Sequence, residues 1–285
     1  MRLNSLFLLL LIIATTMPLI DGVNSESGYA IVKQMFKKSL TINSLTYTIT
    51  KQERIGGKMI KQISFTKMEK EPFKVYLKQQ YPKEGMEVLY VQGTNNNKAL
   101  INPNGFPWVN LKLNPTEGVM RNNQHHTIFQ SGFDHVISIL EFLCNKYQSE
   151  VENMVLNKGT IIWDNKECHA IAFINPYFRY IDYTVSQGET IEDIAKKFKL
   201  SAHMILENNL DVDDYEDVAA NQQIKIPNDY SPKMLLYIDK KELVPVKMDI
   251  YDNHGLYEQY HYSQITVNPV LSSEEFSKDY KNYNF

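Results

Sequence analysis

Between positions 29 and 40 the apolar residues Ile31, Val32, Met35, Phe36 and Leu40 recur at helical spacing, which predicts an amphipathic helix. The period then changes to two. Leu45, Tyr47 and Ile49 fall on one side of a predicted strand, with Thr46, Thr48 and Thr50 on the other. Gly56-Gly57 follows, and then Met59 to Phe65, so the pair reads as a hairpin with a Gly-Gly turn. Phe73, Val75 and Leu77 alternate with Lys74, Tyr76 and Lys78. Further strands are expected at 86–91 and 98–101, before the turn-rich Asn102-Pro103-Asn104-Gly105. Phe133, Val136, Ile137, Leu140 and Leu143 predict a second helix over about 132–147, and strands resume at 160–163 and 168–174. Late in the chain Val246, Met248 and Ile250 alternate with Lys247, Asp249 and Tyr251. The turn Asp252-Asn253-His254-Gly255 then leads into a strand over 256–266. Many short strands with helices at separate places predict an α+β fold, an antiparallel sheet partly covered by helices.

The segment 182–227 has its own pattern. Tyr183-Thr184-Val185 reads as a strand, and Gly188 permits a tight turn. Thr190 can cap the next helix, with Asp193 three residues on as an Asp version of the capping box. Ile191, Ile194, Ala195 and Phe198 form one helical face. Ser201 can cap a second helix, with Leu200 and Ile205 placed for a hydrophobic staple. Gln223 to Ile226, ending at Pro227, is a closing strand. Four lysines against ten acidic residues give this strand-helix-helix-strand module a net charge of −6, whereas the rest of the chain beyond residue 25 carries +3. That asymmetry marks a separate module. When its first and last strands pair antiparallel, entry and exit lie side by side, and the flanking halves can close into one domain around it.

Composition removes several classes. Of the 285 residues, 43% are hydrophobic and 22% charged, which excludes collagen-like, coiled-coil and wholly disordered chains. A net charge of −3 without a basic block argues against a nucleic-acid partner. The N-terminus is a targeting pattern. Met1-Arg2 is followed by an apolar run from Leu6 to Ala14, interrupted afterwards by Thr15, Thr16 and Pro18. A membrane span needs about 20 apolar residues, so residues 1–25 read as a secretory signal peptide, with Val23-Asn24-Ser25 before Glu26. The remainder is then expected outside the cytoplasm, periplasmic or envelope-associated and soluble. Cys144 and Cys168 are the two cysteines. In an exported chain they are either a disulfide or two small buried hydrophobes, and sequence supplies no distance to decide.

The module closely resembles the LysM domain. The resemblance rests on Tyr183-Thr184-Val185, Gly188-Glu189-Thr190, Ile194-Ala195, Phe198, Ser201, Ile205-Leu206, Asn208-Asn209 and Ile224-Lys225-Ile226-Pro227. It implies a βααβ module that binds N-acetylglucosamine-containing glycans, chiefly peptidoglycan. Carried over, the family's groove lies between Gly188, Glu189, Thr190 and Ile191 on one loop and Asn209, Leu210 and Asp211 on the other. Backbone groups would hold the sugar's acetamido and hydroxyl groups while apolar side chains cover its rings. The second loop is longer and more acidic than usual, and Asn221-Gln222 stands where a Gly-Gln pair is common. Asp211, Asp213, Tyr215 and Asp217 alternate as in a calcium loop. Glu216 replaces the expected Gly and the terminal Glu is absent, so the loop reads as solvated and acidic.

The flanking halves also resemble a family. Stretches such as TKQERIGGK, EPFKVYLKQQYPKEGMEVLY and LYIDKKELVPVKMDIYDNHGLYEQYHYSQITVNP look like an uncharacterised family of bacterial envelope proteins. That family is in turn similar to the outer-membrane lipoprotein carrier (LolA-like) fold. The resemblance implies a curved antiparallel sheet wrapping helices, able to hold a lipid or lipoprotein acyl chain. The expected organisation is a signal peptide at 1–25, a discontinuous host domain at 26–181 and 228–285, and the LysM module at 182–227 inserted in it.

No catalytic signature stands out. Cys168 and His169 are neighbours on a strand and point to opposite faces, a poor nucleophile–base pair. His125, His126, Asp134 and His135 form the densest histidine group, lack HExxH spacing, and read as a polar loop before the helix. The expectation is a non-enzymatic envelope protein without metal or cofactor, held to peptidoglycan. The competing readings are a murein-processing enzyme with an unrecognised site and a structural spacer making protein contacts.

Overall fold

The computed structural model describes residues 26–285, and the signal peptide read from residues 1–25 lies outside them. The chain opens with helix α1 (Gly28–Ser39), capped by the Ser27 side chain, which accepts from the Ala30 amide. Six strands follow: β1 (Ser44–Ile55), β2 (Lys58–Glu69), β3 (Lys74–Tyr81), β4 (Glu87–Val91), β5 (Ala99–Asn102) and the short β6 (Leu111–Leu113). The β1–β2 turn is the expected Gly56-Gly57, both at positive φ. A helical stretch comes next, α2 (Gly118–Arg121), α3 (Asp134–Lys146) and α4 (Val151–Met154), and then β7 (Val155–Trp163) and β8 (Lys166–Ile174). After β9 (Tyr180–Thr184), α5 (Ile191–Phe198), α6 (Ala202–Glu207) and β10 (Gln223–Pro227), the chain ends with β11 (Lys233–Asp239), β12 (Pro245–Asp252), β13 (Gly255–Val267) and an irregular tail.

Eleven strands form one antiparallel sheet in the order β6-β5-β4-β3-β2-β1-β13-β12-β11-β8-β7. Its centre joins the two ends of the chain, with Thr48 of β1 opposite Ser263 of β13. One face packs against α1 and α3 in a single apolar cluster that includes Ile31, Met35, Leu140, Ile171, Leu236 and Tyr262. On the other face, the tail covers β3–β5. Phe276 packs with Tyr76, Leu89 and Leu100, and the Tyr283 ring stacks 3.7 Å from that of Tyr76.

Strand β7 begins at Val155, before the expected Thr160. An irregularity in its pairing with β8 falls between Asn157 and Thr160, and it breaks the period-two signal there. Cys144 and Cys168 are both buried and unpaired, so the disulfide left open by sequence is not formed. Cys144 lies on α3 in the main core. Cys168 sits on the face of β8 opposite to Ile171 and Phe173, which meet that core, so the sheet separates the two thiols. Burial pushes the Cys144 thiol up to about 12, which leaves it an inert apolar filler.

The chain leaves the sheet after β8 and rejoins it at β11, and these two strands pair from Ile174–Lys233 to Cys168–Asp239. Between them β9 and β10 form a separate two-stranded sheet over a small core of Ile191, Ile194, Ile205, Val212 and Ile224. The two crossings run together as a neck. The Asn175 amide donates to the Pro232 carbonyl (2.8 Å), and Arg179 and Asn228 exchange hydrogen bonds of 2.8 and 2.9 Å. Asp229, fully buried, accepts from Lys146 Nζ (2.6 Å), the Tyr147 hydroxyl (2.6 Å) and Asn175 Nδ2 (2.9 Å).

Candidate functional site

The turn from β9 into α5 is built by its own side chains. Gly188 has φ +73°, a conformation open to glycine without strain. Thr190 Oγ1 accepts from the Asp193 amide (3.1 Å) while the Asp193 carboxylate accepts from the Thr190 amide (3.0 Å), the reciprocal box expected from sequence. Glu189 folds inward. It accepts from the Ser186 amide (3.0 Å), the Tyr183 hydroxyl (2.8 Å) and Lys197 Nζ (3.2 Å). Burial would raise its carboxyl, but these donors outweigh burial and hold it below the usual carboxylate range.

The second loop is anchored by Asn209. Its side chain donates to the carbonyls of Ile205 (2.7 Å) and Lys225 (2.8 Å) and accepts from the Lys225 amide (2.7 Å), tying α6 to β10. Leu210 is 94% exposed, and Asp211 beside it is also exposed. The Ile191 amide donates to the Tyr215 carbonyl (3.0 Å), so this loop folds back onto the first turn. Its acidic residues satisfy local amides: Asp214 Oδ1 accepts from the amides of Glu216 and Asp217.

The seven residues expected to bind glycan therefore divide. Ile191 and Asn209 have buried side chains that build the core and the loop, and their amides donate within the module, to the Tyr215 and Leu206 carbonyls. Gly188, Leu210 and Asp211 are open to solvent, while Glu189 and Thr190 shape the turn. The arrangement supplies peptide groups and one apolar side chain, and it brings no nucleophile–base pair together.

Sequence reasoning missed the surface on which this module sits. Arg121, buried at the end of α2, donates to Glu192 on α5 (2.6 Å), with its guanidinium 3.4 Å from the centre of the Tyr215 ring. The His125 ring stacks between His203 of α6 (4.4 Å) and Tyr257 of β13 (4.3 Å). Tyr257 also shares a hydrogen bond with Ser201 (3.0 Å), and the Gly56 amide donates to Glu207 (3.1 Å). The signal available was a polar loop, NNQHH after Arg121. Arg121→Ala is expected to remove a desolvated charge pair and a cation–π contact, costing about 2 kcal/mol. Limited proteolysis read by mass spectrometry should show faster cutting in the neck at 175–180 and 228–232. An unchanged cutting rate would mean that Arg121 does not hold the module.

Beneath this surface lies a charged network. Glu258 accepts from His125 Nδ1 (2.8 Å), His126 Nε2 (3.1 Å) and the Tyr230 hydroxyl (3.0 Å). Glu53 accepts from the His125 amide (3.0 Å) and the Tyr260 hydroxyl (2.8 Å). The histidine group read as a polar loop is thus partly interior, with His125 fully buried. His135 remains neutral at pH 7, because burial and the neighbouring His126 push it down to about 3. His126, His135, Glu53 and Lys51 line a cavity of about 90 Å³ under the 124–136 segment.

Residues 183–227 match the LysM domain family. Residues 42–178 match a family described as a protein of unknown function, DUF1571. No curated protein matches the sequence. Solved structures resemble the chain at low scores. The Pseudomonas aeruginosa MucA/MucB complex covers 88% of this chain and 60% of that one, at 11% identity and a TM-score of 0.41. The Mycobacterium tuberculosis lipoprotein LppX covers 86% and 97%, at 12% identity and 0.40. A putative outer membrane lipoprotein-sorting protein domain from Vibrio parahaemolyticus covers 88% and 96%, at 10% identity and 0.34. These scores are too low to carry an argument about the body around the LysM domain, whose own observed property is the eleven-stranded sheet packed with helices.

Proposed function

We propose that this is an exported, non-enzymatic envelope protein whose LysM domain binds the N-acetylglucosamine strands of peptidoglycan. In this reading the body at 26–181 and 228–285 is one discontinuous domain with the LysM domain inserted at 182–227. The observation that carries the reading is the LysM match over a segment whose turn at 188–191 and loop at 209–211 stay solvent-open where Gly188, Leu210 and Asp211 meet water. Peptide groups of both loops would hold the acetamido and hydroxyl groups, and Leu210 would cover a ring face.

Cosedimentation with purified peptidoglycan sacculi tests this. Leu210→Asp changes an exposed side chain and leaves the LysM core untouched, so its effect reports on binding. Binding should fall at least tenfold, while the parent protein pellets. Gly188→Trp is a harsher second variant because of the positive φ. If the parent stays in the supernatant, the domain is a scaffold and the glycan reading is wrong.

A second reading concerns the body. An open groove of about 610 Å³ lies between α1, α3 and β2, lined by Leu40, Ile42, Met68, Phe73, Phe129 and Ile137. These apolar side chains offer a seat for a lipid acyl chain, beside Lys70, Glu71, Asp134 and Glu141, which also line the groove. Mass spectrometry of gently purified protein would show a bound lipid, and its loss in Phe129→Asp would place it in the groove.

A further inference from the structure

At one end of the sheet, two adjacent turns expose large apolar side chains. The segment between β5 and β6 presents Phe106 (86% exposed), Trp108 (79%) and Val109 (59%), and the turn after β3 presents Tyr81 (51%). The turns are fastened together by Asn104 Nδ2, which donates to the Glu84 carbonyl at 2.9 Å. Within the first, the Asn104 amide donates to Asn102 Oδ1 (2.9 Å) and the Trp108 amide to the Gly105 carbonyl (2.7 Å). The aromatic rings are thus held outward by an ordered tip.

We propose that this tip docks on the surface of a phospholipid bilayer. Three observations select a bilayer over a protein. Residues 102–116 contain no carboxylate and one lysine, Lys112, while the neighbouring turn carries Lys83 and Glu84, so the tip meets an anionic headgroup layer without repulsion. Its aromatic and asparagine composition pairs apolar rings with wet polar groups, the combination favoured at headgroup depth. It is also a point built from four side chains on two turns, not a broad apolar face. A bilayer accommodates a point, whereas a protein would have to supply a matching pocket. The tip lies outside the LysM domain and does not depend on its ligand. Docking here would place a peptidoglycan-binding protein against a membrane face.

Flotation with vesicles of phosphatidylcholine containing one quarter phosphatidylglycerol tests the proposal, using the chain from residue 26 onward. The parent should float with the vesicles, and a Phe106→Ser, Trp108→Ser double variant should lose at least tenfold in bound fraction. Both positions are exposed, so an unchanged melting midpoint is expected and verifies the fold. The chain has two tryptophans. In a Trp163→Phe background, Trp108 emission should therefore shift to the blue on adding vesicles. A parent that does not float, a variant that floats equally well, or an unshifted emission overturns the proposal. So does a double variant that loses binding to sacculi while neither protein binds vesicles, since the tip would then read glycan.

Discussion

Glu258→Gln is expected to cost about 3 kcal/mol and to lower the thermal midpoint by roughly 6–12 °C at pH 7. The site explains the size of the effect. Glu53 and Glu258 are directly opposite each other on β1 and β13, and both are buried. Like charges in that register repel. The fold keeps them together by inserting His125, whose amide serves Glu53 and whose ring serves Glu258. Burial alone would raise both carboxyls, but the histidines beside Glu258 and Lys51 beside Glu53 hold them below the ordinary range. Burial would lower His125, and the Glu258 carboxylate reverses that and raises it. The signs set the pH windows. The carboxylate contribution is present above the ordinary carboxylate pKa and is lost as pH falls through the folded values. The His125 contribution is complete below the ordinary histidine pKa and is lost as pH rises through its raised value. Glu258→Gln should therefore lower stability at neutral pH and flatten the loss on acidification. Melting curves from pH 7 to pH 2 check both, and a variant as stable and as acid-sensitive as the parent would sink the account.

Gly28→Val is expected to cost about 3 kcal/mol for a different reason, a helix that has no room to move. A side chain at Gly28 would place its Cβ 2.4 Å from the Val155 carbonyl oxygen and 2.8 Å from the Asn157 nitrogen. Both are backbone atoms of β7 and cannot swing aside. Asn157 also donates to the Glu26 carbonyl (2.8 Å), pinning the start of α1 to the same strand. Relieving the clash lifts α1, and Ile31, Val32 and Met35 come out of the core with it. Gly118→Ala is the control, because a Cβ there meets nothing within 4 Å. Chemical denaturation should show a lowered midpoint for Gly28→Val and none for Gly118→Ala. Equal midpoints for Gly28→Val and the parent would show that the helix start is not seated against β7.

Much of the local structure was legible in the residues. Ile31, Val32 and Met35 mark the buried face of α1, and all three are interior. Thr190 with Asp193 and Ser201 before α6 cap their helices as read. Gly56-Gly57 makes its hairpin. These signals are local, carried by residues within four positions of each other. Other features left no such trace. Phe276, Tyr283 and Phe285 show no period, yet they cover the outer face of β3–β5 because the tail returns across the sheet. The side-chain placement of the loop residues read from the LysM pattern was likewise beyond local spacing. The inward turn of the Asn209 side chain depends on Lys225, sixteen residues away.

By itself, the sequence determined the periodic elements, their caps and turns, the LysM resemblance and the α+β class. Each follows from spacing along the chain, where period and end chemistry act at short range. Only the tertiary structure decided that Cys144 and Cys168 lie on opposite sides of a sheet. It alone decided that Arg121 grips Glu192 and Tyr215 across 71 and 94 residues, and that Glu53 and Glu258 meet across a central strand pair. The physical reason is that a charged residue on a strand reads as solvated until its partner is known. The partner here comes from sheet register, which is settled by burial of the whole apolar face at once.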